Sequence, residues 1–556
     1  MKQHGRKPVQ GQHIAPAVEA ELERRIREQP EIPPAHHADA LGVGRRSAWR
    51  IKKKIADGRG GASVTGVAPR STIIVPARVR RYLVTAAQNA TEIHRGFWSN
   101  LHAYASALGA ELLVGPFTYQ LGLFDEHGPR PEMFSPELVP YLSRKRIELG
   151  PLVFMADMNT LPTASRPISD LVTHARGHWG LVPHAKLQLL SVAGVRNGHA
   201  SQVMTTGCAT VPNYTERKAG VKAAFHHVIG ATIVEIDERD RVFCRQINAA
   251  PDGSFQDLDT MVSNGIVSRG HRIEAATWGD IHVRKLDPLI ARATWGYDPL
   301  TRRMESSDSI VDALRPRFQF FHDLLDFEAR NPHELKKDPL HVFETHVAGR
   351  DSVEDEVREA VGFLRAAERD WCKSVVVESN HDRFLDRWLD SLGGGGYRQD
   401  PVNAEFFLDM ERARFAARRV EATRDPLDDE AERFSLFRHA LATRDTKGLA
   451  GIAFVPEGGS FEICQGVGAI ECGQHGHQGP NGSRGSAVSL SRVARKMNTA
   501  HTHTPTILEG IYIAGVSARL NHGYNTGPSS WMQAHTLTYP NGKRTLVTFQ
   551  DGKWRA

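Results

Sequence analysis

Residues 374–382 read Ser-Val-Val-Val-Glu-Ser-Asn-His-Asp. Val375, Val376 and Val377 suit a pleated, buried strand, and the run then breaks into an amide, an imidazole and a carboxylate at Asn380, His381 and Asp382. Two earlier segments share this shape. Phe318 to Phe321, aromatic and apolar, runs into Asp323-x-x-Asp326, and Arg272 to Trp278 reads as a strand that delivers Asp280-x-His282. Between them, Val353 to Trp371 has the mixed charged and apolar pattern of a surface helix. Strands that end in polar loops and alternate with helices predict an α/β fold, with the chemistry collected at strand ends. Further along the chain stand His475 and His501-x-His503.

These residue types suit a pair of divalent cations. Carboxylate, amide and imidazole are ligands for first-row metals, and the two oxygens of Asp323 can serve two ions at once. A hydroxide shared by such a pair is a nucleophile near neutral pH and attacks phosphate esters. Asn380 would complete one shell without adding negative charge where a phosphate must bind. His381 reads as a general acid or as a hydrogen-bond donor to the phosphate, with Asp382 expected to orient its ring. Any one fragment is weak in a chain with 27 histidines; the five in order carry the reading.

That order resembles the calcineurin-like metallophosphoesterases over roughly residues 270–556. The resemblance implies a four-layer α/β/β/α sandwich and a two-metal site. By motif, the first metal takes Asp280, His282, Asp323 and His503; the second takes Asp323, Asn380, His475 and His501; His381 is the catalytic histidine. The family's glycines before the bridging Asp, before Asn-His and before His-x-His are replaced here by His322, Ser379 and Ala500. Each lost glycine leaves open how the local turn is made, although no ligand is lost. His475 is the favoured ligand, with His477 standing two residues away as the alternative. The segments Leu83–Ala90, Gly109–Val114, Glu378–Asp382 and Asn481–Ser486 further resemble the early host-DNA-degrading proteins of the T-five-type coliphages and their prophage relatives, similar in turn to the nuclease subunit of the double-strand-break repair complex. This implies a DNase that depends on divalent metal, Mn2+ first, with Fe2+, Zn2+ or Mg2+ compatible.

Outward from this core, a length of 556 residues predicts more than one domain. Residues 1–60 hold 13 of the 70 Lys+Arg and 7 of the 64 Asp+Glu, so the whole excess of +6 lies there. In 1–57, apolar residues at helical spacing (Ile32, Ala35, Ala38, Leu41) are broken by Gly42-Val43-Gly44 and resume at Ala48, Ile51 and Ile55. This reads as a basic helix-turn-helix-like head in which Arg45, Arg46, Arg50 and Lys53 would contact DNA; a merely solvated basic helix fits the same pattern. Residues 58–71 read as a Gly/Ser/Pro-rich linker. Residues 72–268 read as an α/β domain of unknown role with a largely parallel sheet, and 269–556 as the metallophosphoesterase domain. No Gly-x-Gly-x-x-Gly or phosphate-binding Gly-Lys loop supports nucleotide binding. Gln88-Asn89 and Asp157-x-Asn159 follow strands but suit ordinary turns.

Five scattered cysteines, without a Cys-x-x-Cys pair, suit a reducing compartment, and no apolar run is long enough to span a bilayer. A cytoplasmic protein that does not enter the membrane is expected, and a homo-oligomer, since large α/β bodies commonly form symmetric assemblies. On the substrate side, Arg383, Arg484 and His522, with Asn525 and Ser529 nearby, are candidate phosphate contacts. The expected function is a two-metal phosphodiesterase acting on DNA. A phosphatase of small esters, or a DNA-binding regulator with the metal domain as scaffold, are the competing readings.

Overall fold

The computed structural model describes residues 16–28, 34–42, 51, 62–63, 79–119, 132–195, 200–338, 340–423, 434–523 and 525–556. It is a mixed α/β protein with several mixed sheets. A six-stranded sheet runs in the order Ile452–Val455, Lys373–Val377, Phe318–Phe321, Ala275–Thr277, Ala534–Thr538, Arg544–Thr548. Its first four strands are parallel, and the last two close it as an antiparallel hairpin through the turn at Tyr539-Pro-Asn-Gly-Lys543. The strand Phe318–Phe321 lies where the sequence pattern places it. The expected helix at 353–371 stops at Ala367, and the expected strand at 272–278 shortens to Ala275–Thr277.

The period of two along these strands divides two cores. Ala276, Phe321 and Val376 face helices that include Pro288–Trp295, Val353–Ala367 and Phe384–Ser391. Ala275, Phe320, Val375 and Val377 face the opposite way, onto Ile463, Ile470 and Cys472. Phe320 and Phe321 are both fully buried, each contributing about 2–3 kcal/mol from removal of apolar surface. Burial on both faces explains why the parallel strands read as continuous apolar runs.

The second core is closed by a ten-stranded sheet in the order Glu462–Ile463, Ile470–Glu471, Lys496–Thr499, Ile511–Ile513, Thr506–Leu508, Gln188–Val192, Ser201–Thr205, Trp179–Val182, Leu152–Phe154, Ile147–Glu148. Half of these strands precede residue 268 and half follow it. Thr506–Leu508 pairs antiparallel with Gln188–Val192, so one sheet is continuous across the two segments.

The single, largely parallel sheet expected for 72–268 is not found. Its strands divide among this sheet, a four-stranded one ordered Val242–Asn248, Gly230–Ile236, Arg80–Gln88, Glu111–Phe117, a three-stranded one of Phe255–Asp257, Thr260–Ser263 and Ile266–Ser268, and the short strand Met133–Phe134. Only the last pair of the four is parallel, joined through the helix Arg95–Leu108. Strands 230–236 and 242–248 are linked by a short turn at Asp237–Arg241, a length that permits only antiparallel pairing. One face of this sheet packs on that helix through Leu83, Val114 and Ile233; the other packs on the ten-stranded sheet through Val84, Val234 and Cys244.

In the head, the helices Pro16–Glu28 and Pro34–Ala40 meet through Leu22, Ile26 and Ala38, with Ile51 buried among them. Arg45, Arg46, Arg50 and Lys53 lie outside the described residues. Of the expected linker only Ala62–Ser63 is described, paired with Met133–Phe134.

Candidate metal centre

Asp280 and His282 follow the strand Ala275–Thr277, where two backbones approach closely. A Cβ on Gly279 would lie 2.8 Å from the Gly515 and Val516 backbone, and one on Gly515 would lie 2.0 Å from the Met532 carbonyl oxygen. Only glycine permits this contact. It lets Asp280 N–H donate to Gly515 O at 3.2 Å and Ser517 N–H donate to Asp280 O at 2.7 Å. The neighbouring loop is tied on by His282 N–H donating to Asp323 O at 2.7 Å.

Four of the predicted ligands sit in the left-handed backbone region: His282 at φ 45°, Asp323 at 46°, His501 at 76° and His503 at 54°. For side chains with a Cβ this costs about 1–3 kcal/mol per residue, and such strain collects where a function requires it. His322, Ser379 and Ala500, which stand where the resemblance led one to expect glycine, are not in that region. At His322 and Ala500 the left-handed residue comes one position later, at Asp323 and His501, so a glycine is not needed there; neither Ser379 nor Asn380 is left-handed.

The side chains converge. Asp323, buried, directs Oδ2 toward His282 Nε2 at 3.6 Å and Oδ1 toward His475 Nε2 at 3.4 Å, so its two oxygens face two different groups. His503 Nε2 lies 3.1 Å from Asp280 Oδ2 and 3.2 Å from His282 Nε2. His501 N–H donates to Asp280 Oδ2 at 2.8 Å, and the His501 and His475 rings are 5.1 Å apart. Asp280, Asp323 and His503 can place one ligand atom each about a common point, as can His282, His503 and His522.

Burial and neighbouring charges set the charge state of these groups. Burial and the Asp323 charge push the Asp280 carboxyl well above its usual range. Burial would raise Asp323 as well, but His475, His381 and His282 outweigh it and hold that carboxyl low. Burial drives His475 down to about 3 and His501 to about 4, the neutral state in which imidazole ligates metal. Asn380 Oδ1, His381 Nδ1, His501 Nδ1 and His503 Nδ1 are buried without a hydrogen-bond partner. Buried polar atoms are normally satisfied, so this concentration of oxygen and imidazole donors could hold a metal ion.

Other expectations are refined. His477 is engaged elsewhere, its Nε2 lying 2.8 Å from Glu457 Oε1, whereas His475 faces both Asp280 and Asp323. Asp382 does not turn to the His381 ring: its oxygens accept Leu325 N–H and Ser379 N–H, each at 3.1 Å. It therefore positions the Asn380-His381 loop against the Asp323 loop, because two backbone donors outcompete a single ring N–H. Arg383 pairs with Glu457, and Arg484 is exposed. His522 is buried 4.9 Å ring to ring from His282, and its backbone N–H donates to Asn525 Oδ1 at 2.9 Å. Gln88, Asn89 and Asn159 spend their amides on neighbouring loops, as turn residues do. Cys472 is buried in the apolar core between the sheets.

One residue of the expected fragments takes a role the sequence did not assign, and one contributor was missed. Asp326 Oδ1 lies 3.3 Å from His282 Nδ1 and its Oδ2 lies 2.8 Å from Lys285 Nζ, which orients His282 with Nε2 facing the centre. Its spacing from Asp323 was visible, but its partner was not. His535, fully buried, accepts Gly279 N–H at 3.1 Å and meets Thr294 Oγ1 at 2.9 Å, holding the strand end that carries Asp280. Nothing in the sequence separates it from the other histidines.

The fold and site together describe a mixed α/β protein with a strained, buried cluster of acids and imidazoles. No family model matches the chain. Over 486 residues the chain is 36% identical to Protein A1 of Escherichia phage T5, covering 86% of this chain and 83% of that protein. The chain belongs to the phage T5 Protein A1 family. No helix among the described residues is long and apolar enough to cross a membrane.

Proposed function

We propose that this protein is a metal-dependent phosphodiesterase that cleaves DNA, built on a calcineurin-like α/β/β/α sandwich with two divalent cations, Mn2+ foremost. The observation that carries the reading is the convergence on Asp323: one carboxylate faces His282 on one side and His475 on the other. Asp280, His282, Asp323 and His503 would hold one cation; Asp323, Asn380, His475 and His501 would hold the other. When bound, such a pair withdraws charge from phosphoryl oxygens and makes water acidic enough to attack phosphorus near neutral pH.

The chain's own residues account for the rest. Asp326 fixes the His282 ring and Asp382 fixes the loop that presents His381. The His381 ring lies 4.9 Å from that of His282 and carries a buried Nδ1 without a partner, so it is set to donate a proton or a hydrogen bond to a phosphate at the centre. Arg484 and the basic N-terminal segment would hold the polyanion, and self-association and a cytoplasmic location complete the reading.

The test incubates purified protein and Mn2+ with plasmid and, separately, with a chromogenic phosphate monoester. DNA loss without dye release is expected, and Asp323→Ala should abolish it. Dye release alone would assign a small-ester phosphatase, and neither product would remove the enzymatic reading.

A further inference from the structure

Beside the metal centre lies a cavity of about 270 Å³ that the chemistry above does not use. Trp531 joins the two: its ring is 4.1 Å from that of His503 and 5.1 Å from that of His522, and it also lines the cavity. The other walls are largely apolar, with Phe549, Met532 and the half-exposed Leu289. Its polar groups are two carboxylates, Asp287 and Asp551, and two amides, Gln533 and Gln550, whose N–H groups donate to the Ala518 and Val242 carbonyls. Asp287 uses Oδ1 to cap the helix Pro288–Trp295, leaving Oδ2 outside those bonds, and the exposed Asp551 touches Arg241 through Oδ2 at 3.3 Å.

This chemistry selects an occupant. Two carboxylates on an apolar pocket repel a phosphate, so the DNA backbone does not belong there. An aromatic wall with hydrogen-bond acceptors at its edge suits a flat, neutral, amine-bearing ring. A strand whose phosphate sits at the centre carries bases on either side of that phosphate, and stacking of a base on an aromatic side chain is worth about 1–3 kcal/mol. We propose that this cavity is a nucleobase subsite, which seats one base flanking the cleaved phosphate and favours bases with an exocyclic amine over thymine. The inference rests on the DNA-cleaving reading above.

The experiment compares wild type with Leu289→Trp, a change on the half-exposed wall that fills part of the cavity. Each is assayed with Mn2+ on single-stranded oligodeoxynucleotides, on the same oligonucleotides with one abasic position moved along the strand, and on bis(4-nitrophenyl) phosphate, which has no base. In wild type, one abasic position near the cut should raise KM about tenfold, and a thymine there should be cleaved less well than cytosine. In Leu289→Trp the ratio of kcat/KM on the oligonucleotide to that on the small diester should fall at least fivefold, and the abasic penalty should vanish. An unchanged ratio, a parallel loss on both substrates, or an abasic penalty that persists in the variant would overturn the subsite while leaving the DNase intact. Wild-type protein that cleaves the small diester but no DNA would remove the DNA reading itself, and the subsite with it.

Discussion

Replacing Asp326 by Asn tests whether the centre is organised from behind. Asp326 is fully buried; one oxygen lies 3.3 Å from His282 Nδ1 and the other 2.8 Å from Lys285 Nζ. Asn keeps the shape but removes the charge that fixes the ring and its tautomer. Loss of such an outer partner typically lowers metal affinity about 10–100-fold, or about 1.4–2.8 kcal/mol. Breaking the buried pair with Lys285 adds a stability loss of about 3 kcal/mol. The two effects separate with Lys285→Met, which removes the same ion pair but leaves the contact between Asp326 and His282. Calorimetric titration of Mn2+ should therefore show weaker binding in Asp326→Asn than in Lys285→Met, while urea unfolding shows a loss in both. Mn2+ affinity within twofold of wild type in Asp326→Asn would refute the argument.

Three further outcomes are expected. His475→Ala should lose Mn2+ affinity at least tenfold, whereas His477→Ala, whose ring is held by Glu457, should retain it in the same titration. Gly515→Ala should destabilise the fold by about 3 kcal/mol in urea unfolding, because the new methyl would meet the Met532 carbonyl oxygen at 2.0 Å. His535 is pushed down to about 3 by burial, so the unfolded chain binds the extra proton between roughly pH 6.5 and pH 3. Stability from this group is complete above pH 6.5 and is lost as the pH falls, by about 2 kcal/mol at pH 5. The stability difference between pH 7.5 and pH 5 should accordingly be smaller by that amount in His535→Asn.

The strand-and-loop units that carry the site were legible because each joins a short β-rich run to residues that have no place in a strand. Phe318–Phe321 before Asp323 and Lys373–Val377 before Asn380 are the clearest cases. The missing glycines at His322 and Ala500 were misleading for a physical reason: the left-handed turn falls on the ligand itself, at Asp323 and His501, a strain no residue pattern announces. The shared ten-stranded sheet was not legible, since strands such as Thr506–Leu508 and Ile470–Glu471 are too short to carry a period. Their partners lie far along the chain, and pairing at that distance is set by packing of the finished core. The role of Asp326, and His535 altogether, escaped notice for a related reason, because a positioning residue is defined by what it touches. Asp382 was recognised as part of the loop, but its adjacency in sequence to His381 suggested the wrong partner.

The central claim is that Asp323 sits between two divalent cations. Anomalous diffraction at the manganese edge from crystals grown with Mn2+ tests it directly. Two peaks are predicted, one on each side of the Asp323 carboxylate, toward His282 and toward His475, and both absent in Asp323→Ala. No peak at these side chains, or a peak that persists there unchanged without the carboxylate, would contradict the account.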